Sequence, residues 1–273
     1  MSKKLSLLTI TVLAILSMVL FTGCGGNQEA AKVEKNSIKV GVTAGPHAEI
    51  MDEVKKVAEK DGLKVEIIEF NDYVQPNMAL SQGEIDLNSY QHQPFLDEQV
   101  KDRGYKIESI AKTVIFPMGI YSQKVKALAD VKEGAIVSIP NDPTNGGRAL
   151  LLLQKVGLIK LKPNIALNAT AADIAENPKN LQIKELEAAQ VPLSLKDVDI
   201  AVINTNFAIV AGLVPTKDSL AIEEGNSPYA NVIAVQTKDK DNPVYKKFIK
   251  AYQSDEVKKF IEEHFKGSTI AAW

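Results

Sequence analysis

The 273-residue chain has one cysteine, three histidines and an aromatic content of only 6%. A single cysteine excludes an internal disulfide and any cysteine-rich metal site. His47, His92 and His264 lie far apart and lack the spacing of metal ligands. There is no excess of charge of either sign: 32 Lys+Arg stand against 34 Asp+Glu, for a net of −2. Nucleic acid as the main partner would call for a clear basic excess, so it is set aside. GxSxG, HExxH, P-loop and GxGxxG motifs are all missing, and no pair of carboxylates is singled out. The sequence therefore reads as non-enzymatic, with no cofactor and no metal. What is present, 45% hydrophobic and 24% charged residues, is an ordinary globular composition. It excludes wholesale disorder and a disulfide-stapled mini-protein, and the length suits one large or two modest domains.

The N-terminus carries Lys3 and Lys4, then an uncharged run from Leu5 to Phe21, then Thr22-Gly23-Cys24. Basic residues, an apolar run and small residues before a cleavage point make a secretory signal peptide. The run is at the short edge for a membrane span, which needs about 20 apolar residues. Leu20-Phe21-Thr22-Gly23-Cys24 resembles a bacterial lipobox, with Phe21 where Leu is usual. That resemblance implies cleavage after residue 23 and acylation of Cys24 as the new N-terminus. Several acyl chains on one residue would anchor the protein stably, at about 0.8 kcal/mol per buried CH₂. The expected location is the extracytoplasmic face of the cell membrane, held by lipid. Losing Lys3 and Lys4 leaves 30 basic against 34 acidic groups, a net of −4. Residues 24–36 are polar and read as a flexible tether.

From Ser37 on, strands and helices alternate. Ile38 to Val42 and Lys64 to Phe70 are β-rich, and Met51, Val54, Val57 and Ala58 give Ala48 to Lys60 helical spacing. Short helices are expected over Pro76 to Ser81 and Pro94 to Lys101, and extended chain from Ile107 to Tyr121. Ala135 to Ile139 is a strand that runs at once into Asn141-Asp142-Pro143-Thr144-Asn145-Gly146-Gly147-Arg148 and a leucine-rich helix ending at Val156. Further strands are expected over Leu181 to Leu186, Asp199 to Ile203 and Asn231 to Thr237. Two amphipathic helices close the chain, capped by Asn242 and Ser254. Such alternation predicts an α/β protein with mostly parallel sheets. Two blocks are expected, residues 37–117 completed by 230–273 as one lobe and residues 118–229 as the other, with a cleft between them.

Two stretches point to a ligand site. The loop Asn141 to Arg148 opens a helix, and helix N-termini favour carboxylates and phosphates. Gly146 and Gly147 are read as letting a ligand approach the backbone, and Arg148 as a planar fork for a carboxylate. The stretch Asn88-Ser89-Tyr90-Gln91-His92-Gln93-Pro94-Phe95 is read as lying between a strand and a helix, where α/β crevices form. Tyr73 follows another strand end, and Gly45-Pro46-His47 fits a helix start near the cleft. Aromatic rings beside a carboxylate-binding arginine suggest a pocket for an apolar or thioether side chain, since each sulfur–aromatic contact contributes about 0.3–1.5 kcal/mol.

The blocks GVTAGPHAEI (41–50), FNDYVQPNMALSQGEID (70–86), YQHQPFLD (90–97), IPNDPTNGGRALLLLQKVGLIKL (139–161), ENPKNLQIKELEAAQVPLSL (176–195), AVINTNFA (201–208), SPYANVI (227–233) and AYQSDEVKKFI (251–261) resemble the NlpA/MetQ family, the methionine-binding lipoproteins of bacterial ABC importers. The resemblance spans essentially the whole chain after the signal. It implies a two-lobed periplasmic-binding-protein type II fold that closes over its ligand. It places the carboxylate clamp at Arg148, the pocket asparagines at Asn204 and Asn231, and the ring cage at Tyr73, Tyr90, His92 and Phe95. Asn145, in the loop, is a further candidate. Tyr90 stands where the family's pattern has Phe, and Phe95 where it has Tyr. The implied partners are L-methionine and the permease and ATPase subunits of an importer, with the chain acting as a monomer. Replacing Arg148 by Ala is expected to abolish binding and leave the fold intact. Three alternatives stay open: a methionine-containing dipeptide as ligand, another amino acid as ligand, or a surface adhesion role.

Overall fold

The structure, a computed structural model, describes residues 36–165, 167–225 and 228–273. The signal peptide, Cys24 and the tether up to residue 35 lie outside these residues. In chain order the strands are β1 (Ser37–Thr43), β2 (Lys64–Phe70), β3 (Leu87–His92), β4 (Ile107–Lys112), β5 (Val114–Ile115), β6 (Gly119–Tyr121), β7 (Ile136–Pro140), β8 (Lys160–Leu161), β9 (Ile174–Glu176), β10 (Gln182–Leu186), β11 (Ile200–Ile203), β12 (Ala221–Ile222), β13 (Asn231–Gln236) and β14 (Ile270–Ala271). The α-helices are α1 (Pro46–Lys60), α2 (Gln75–Gln82), α3 (Gln93–Arg103), α4 (Pro143–Lys155), α5 (Thr205–Val210), α6 (Pro215–Asp218), α7 (Pro243–Tyr252) and α8 (Asp255–Phe265).

Two five-stranded sheets carry the fold, ordered β2-β1-β3-β13-β4 and β10-β7-β11-β6-β12. The expectation of mostly parallel sheets needs correcting. β1 runs parallel to β2 and β3, but β13 is antiparallel to both β3 and β4. In the second sheet β7 is parallel to β10 and β11, while β6 is antiparallel to β11 and β12. The parallel pairs in each sheet are those joined by helix-containing crossovers, which fix direction. β13 instead enters the first sheet after the chain has completed the second, so no such crossover constrains it. The chain thus passes between the sheets at residues 113–118 and again at 223–230.

Each sheet has its own core. Ile38, Val40 and Val42 on β1 meet Ile50, Met51 and Val54 of α1 and Phe248, Tyr252 and Ile261 of the closing helices, all buried. The caps of those helices form as the sequence predicts: Asn242 accepts from the Val244 amide and Ser254 from the Val257 amide, each satisfying an orphan donor. β14 pairs with β5 and returns the C-terminus to the first crossover, where Trp273 packs edge-on against Tyr252. In the second sheet Val137, Ile139, Ile200 and Val202 pack against Leu150 and Leu153 of α4.

β3 is the second departure. Its sequence, LNSYQH, was read as part of a connecting segment, yet it is a central strand buried along its whole length. Its amides are satisfied from outside the strand. Gln91 and Asn88 exchange hydrogen bonds with Asn77 of α2 at 2.7–2.9 Å, and Gln91 Nε2 donates to Asn88 Oδ1 at 3.0 Å. A buried polar strand is tolerable only with such a network.

Candidate functional site

All eight ligand-site residues expected from the sequence converge on one pocket of about 340 Å³. The first sheet's half contributes Tyr90 and His92 from β3, Phe95 from α3, Asn231 from β13 and Tyr73 from the turn after β2. The second contributes Asn145 and Arg148 from α4 and Asn204, which precedes α5. Sequence reasoning left out four polar or aromatic neighbours, Gln91, Phe116, Thr205 and Asn206, and did not place His47 among the site residues; all five line the same space. Their adjacency to chosen residues, as in the Asn204-Thr205-Asn206 run, was the available signal.

The loop before α4 works differently from its reading. Asp142 caps the helix, accepting from the Asn145 amide at 2.9 Å. Glu98 lies against the Thr144 amide. The protein's own carboxylates therefore occupy this helix N-terminus. Burial raises the Asp142 carboxyl above its usual value, against hydrogen bonds from Asn145 and Thr144 that lower it. The two glycines serve backbone packing. A Cβ on Gly147 would sit 2.2 Å from the Leu167 carbonyl oxygen, and one on Gly146 would sit 2.8 Å from that of Pro140.

Asn145 is a hub of side-chain hydrogen bonds. Its Nδ2 donates to both Asp142 oxygens at 3.0 Å, and its Oδ1 meets His92 Nε2 at 3.1 Å and Asn204 Nδ2 at 2.8 Å. Both acceptors of Nδ2 belong to one carboxylate, so a single N–H serves them and the second remains available. Asn145 thus orients His92 and Asn204 across the pocket.

His92 Nδ1 accepts from the Phe95 amide at 3.1 Å and so caps α3. The proton must then be on Nε2, which donates across the pocket to Asn145. Burial, and then the Arg148 charge, lower the His92 pKa to about 3, so the ring is neutral. His47 is likewise lowered to about 3 by burial. It donates from Nδ1 to Thr43 Oγ1 at 2.7 Å and accepts from Asn231 Nδ2 at 2.9 Å.

Arg148 is 3% exposed and paired with Glu223. Nε lies 2.9 and 3.1 Å from the two carboxylate oxygens and Nη2 lies 2.5 Å from Oε2. Nη2 also donates to the Phe116 carbonyl at 2.8 Å, Glu223 accepts from the Met118 amide at 2.9 Å, and the Tyr229 ring lies 4.2 Å from the guanidinium carbon. The arginine thus ties together both crossovers. Its Nη1 makes no hydrogen bond among the described residues. This pairing means that Arg148→Ala would also destabilise the fold, because removing one member strands a buried charge.

The rings form a cage. Tyr73 lies 5.9 Å from both Tyr90 and Phe95 and 4.8 Å from Phe207, and His92 meets Phe95 at 6.2 Å. The hydroxyls are spoken for within the protein. Tyr90 donates to the Tyr73 carbonyl at 2.9 Å and Tyr73 donates to Asn206 Oδ1 at 2.6 Å. Two buried side-chain atoms on this wall, Asn204 Oδ1 and Asn206 Nδ2, lack partners among the described residues.

A two-lobed α/β chain that encloses a small pocket of rings, amides and one arginine between its sheets is a solute-binding protein of the periplasmic-binding type. The comparisons narrow this. Residues 38–273 match the NlpA lipoprotein family, and the chain belongs to that family. It is 50% identical over 263 residues to the D-methionine-binding lipoprotein MetQ of Salmonella typhi, covering 95% of this chain and 96% of the relative. Among solved structures it resembles a nutrient-binding protein from Burkholderia cenocepacia bound to methionine. Identity there is 60%, coverage is 86% of this chain and 100% of that one, and the TM-score is 0.85. The methionine-binding protein MetQ is 50% identical, with coverage of 88% and 99% and a TM-score of 0.86. These are binding proteins, and the chain is one too rather than an enzyme.

Proposed function

We propose that this chain captures free methionine outside the cytoplasm and delivers it to the permease and ATPase of an ABC importer while tethered through a lipid on Cys24. Residues 1–23 are the signal removed on export and 24–36 the tether. Residues 37–117 with 230–273 form one lobe and 118–229 the other.

The observation that carries the reading is the sense of the polar groups around the pocket. Asn204 donates through Nδ2 to Asn145, so its Oδ1 is what it can offer a ligand. Asn231 gives its Nδ2 to His47, so it too offers an oxygen. Two acceptors suit an α-ammonium, and the Arg148 Nη1 edge suits an α-carboxylate. The cage of Tyr73, Tyr90, His92 and Phe95 suits a thioether side chain. Because these groups come from both lobes, ligand binds the closed state better than the open one, and that difference is what drives closure. The pocket is narrow and closed in by rings and amides from both lobes, which favours a single amino acid.

A methionine dipeptide is the second reading. An adjoining groove shares Tyr73 and Phe95 with the pocket and has room for an added residue. Thermal shift on refolded, ligand-stripped protein tests both. At 100 times its Kd a ligand stabilises by about 2.7 kcal/mol, a rise of several degrees for a protein of this size. A rise with L- or D-methionine supports the first reading and assigns the hand. A rise with the dipeptide alone moves the substrate. No rise with any of them overturns both readings.

A further inference from the structure

Asn206 was no part of the expected site, yet its placement demands a partner. The side chain is 2% exposed and lines the pocket. Its Oδ1 accepts from the Tyr73 hydroxyl at 2.6 Å, and its Nδ2 is buried with no hydrogen bond among the described residues. A buried amide donor left unpaired costs about 1–3 kcal/mol, so native structures seldom keep one without a reason. The orientation follows from its neighbour, since a phenol is a better donor than acceptor and claims the amide oxygen. That turns the N–H group to the other side.

The neighbouring acceptor is of the opposite sense. Asn204, two residues earlier, stands at the N-cap of α5 but makes no capping bond, and its Oδ1 is unpaired. One short run of chain lining the cavity thus carries an acceptor and a donor that are both unpaired among the described residues. An α-amino acid carries an ammonium and a carboxylate on one carbon. Resting on the methionine reading above, we infer that Asn206 is a specificity-determining residue whose Nδ2–H donates to the ligand carboxylate beside Arg148, with Tyr73 of the opposite lobe fixing its orientation on closure. Asn204 and Asn231 then take the ammonium, and the site discriminates against neutral derivatives of the acid through two donors rather than one.

The test measures affinity by calorimetry for methionine and for methioninamide, which keeps the ammonium and the side chain but has no carboxylate. Wild type, Asn206→Ala and Asn206→Asp are compared. Removing the donor is expected to weaken methionine binding about ten- to a hundredfold. Asn206→Asp still accepts from Tyr73 but sets a carboxylate against the ligand's own, so it is expected to lose methionine further. Its acid-to-amide preference should fall at least about tenfold, because the amide N–H can donate to the new oxygen. A purely structural role would weaken both ligands alike and leave that ratio unchanged, which overturns the inference, as does wild-type affinity in both variants. If the variants do not fold, the wild-type complex decides by crystallography. Asn206 Nδ2 about 3 Å from a carboxylate oxygen upholds the assignment, and Nδ2 facing any other group overturns it. Wild type that binds no methionine defeats the functional reading and this inference together, whereas normal wild-type binding with unaltered variants defeats this inference alone.

Discussion

Arg148 and Glu223 form a bidentate ion pair, with Nη2 2.5 Å from Oε2, and side chains only 4% and 12% exposed. Neither residue is close to the other in sequence, and the pair holds the two crossovers between the lobes through the Phe116 carbonyl and the Met118 amide. The cation proposed to take the ligand carboxylate is therefore also a structural element. Breaking a buried pair by removing one partner costs about 3–5 kcal/mol. Arg148→Ala should accordingly lower the melting temperature by roughly 6–20 °C, at ~2–4 °C per kcal/mol for a domain of this size. Replacing both members with apolar residues of similar volume, Arg148→Met with Glu223→Leu, should recover much of that stability and still bind no methionine. Thermal denaturation beside calorimetry separates the two roles. A single variant that melts with the wild type would show the pair to be energetically idle.

The hydrogen bond from His92 to Asn145 crosses the pocket and makes binding sensitive to acid. Its pKa is about 3 in the structure because of burial and the facing Arg148 charge, against about 6.5 in water. A group with a depressed pKa in the closed state favours closure above its free value and opposes it as pH falls below that value. If opening of the cleft hydrates His92, methionine affinity should fall from pH 6.5 downward, approaching tenfold per pH unit. The Asp142 and Glu98 carboxyls, both raised mainly by burial, act in the opposite sense. Dissociation constants measured from pH 7.5 to 5 should show the decline, and His92→Asn should reduce it, leaving the part due to His47, the other buried ring lowered to about 3. A flat wild-type profile would mean that His92 remains buried when the lobes part.

Gly147 offers a test of packing against ligand approach. A methyl there would lie 2.2 Å from the Leu167 carbonyl oxygen and 2.8 Å from the Ala169 nitrogen, both backbone atoms that no rotamer change can clear. Gly147→Ala should therefore destabilise the protein by about 1–3 kcal/mol, and Gly146→Ala, at 2.8 Å from one carbonyl, by less. Chemical denaturation with and without methionine checks this. If the glycine acts in packing, the ligand-induced stabilisation stays the same in both variants. If the backbone there meets the ligand, that increment shrinks.

What could be read from the sequence was whatever local chemistry decides. The spacing along α1 and the caps Asn242 and Ser254 need only neighbours a few residues away, and β2 was bounded as Lys64–Phe70. The ring-and-amide density around Tyr90 to Phe95 likewise marked the pocket. The strand character of that same stretch was hidden, because LNSYQH has no apolar alternation and its amides are paid off by Asn77, on a different element. Direction in the sheets was hidden for a similar reason, since β13 arrives from the far sheet. The sense of each amide was least legible of all. Whether Asn204, Asn231 or Asn145 offers a donor or an acceptor depends on partners such as Asn145, His47 and Asp142. Glu223, 75 residues from Arg148, carries no local sign of its role.

The exchanged ring positions give the last expectation. Tyr90 stands where the family's pattern has Phe, which raised the question of a hydroxyl bonding to the ligand. That hydroxyl donates instead to the Tyr73 carbonyl at 2.9 Å, and the ring keeps its edge-to-face contact with Phe95 at 6.3 Å. Burial pushes the Tyr90 phenol well above its usual pKa, so it remains a neutral donor throughout the working range. Tyr90→Phe should then cost about 1 kcal/mol of stability for the lost hydrogen bond, and change methionine affinity by no more than about threefold. Phe95→Tyr makes the converse change at a residue only 4% exposed. It adds a hydroxyl to a packed ring that has no designated partner, and should weaken both stability and binding. Calorimetry on the two single variants and the double exchange measures the coupling. If Tyr90→Phe alone removes binding, the hydroxyl reaches the ligand and the assignment of that hydrogen bond to Tyr73 fails.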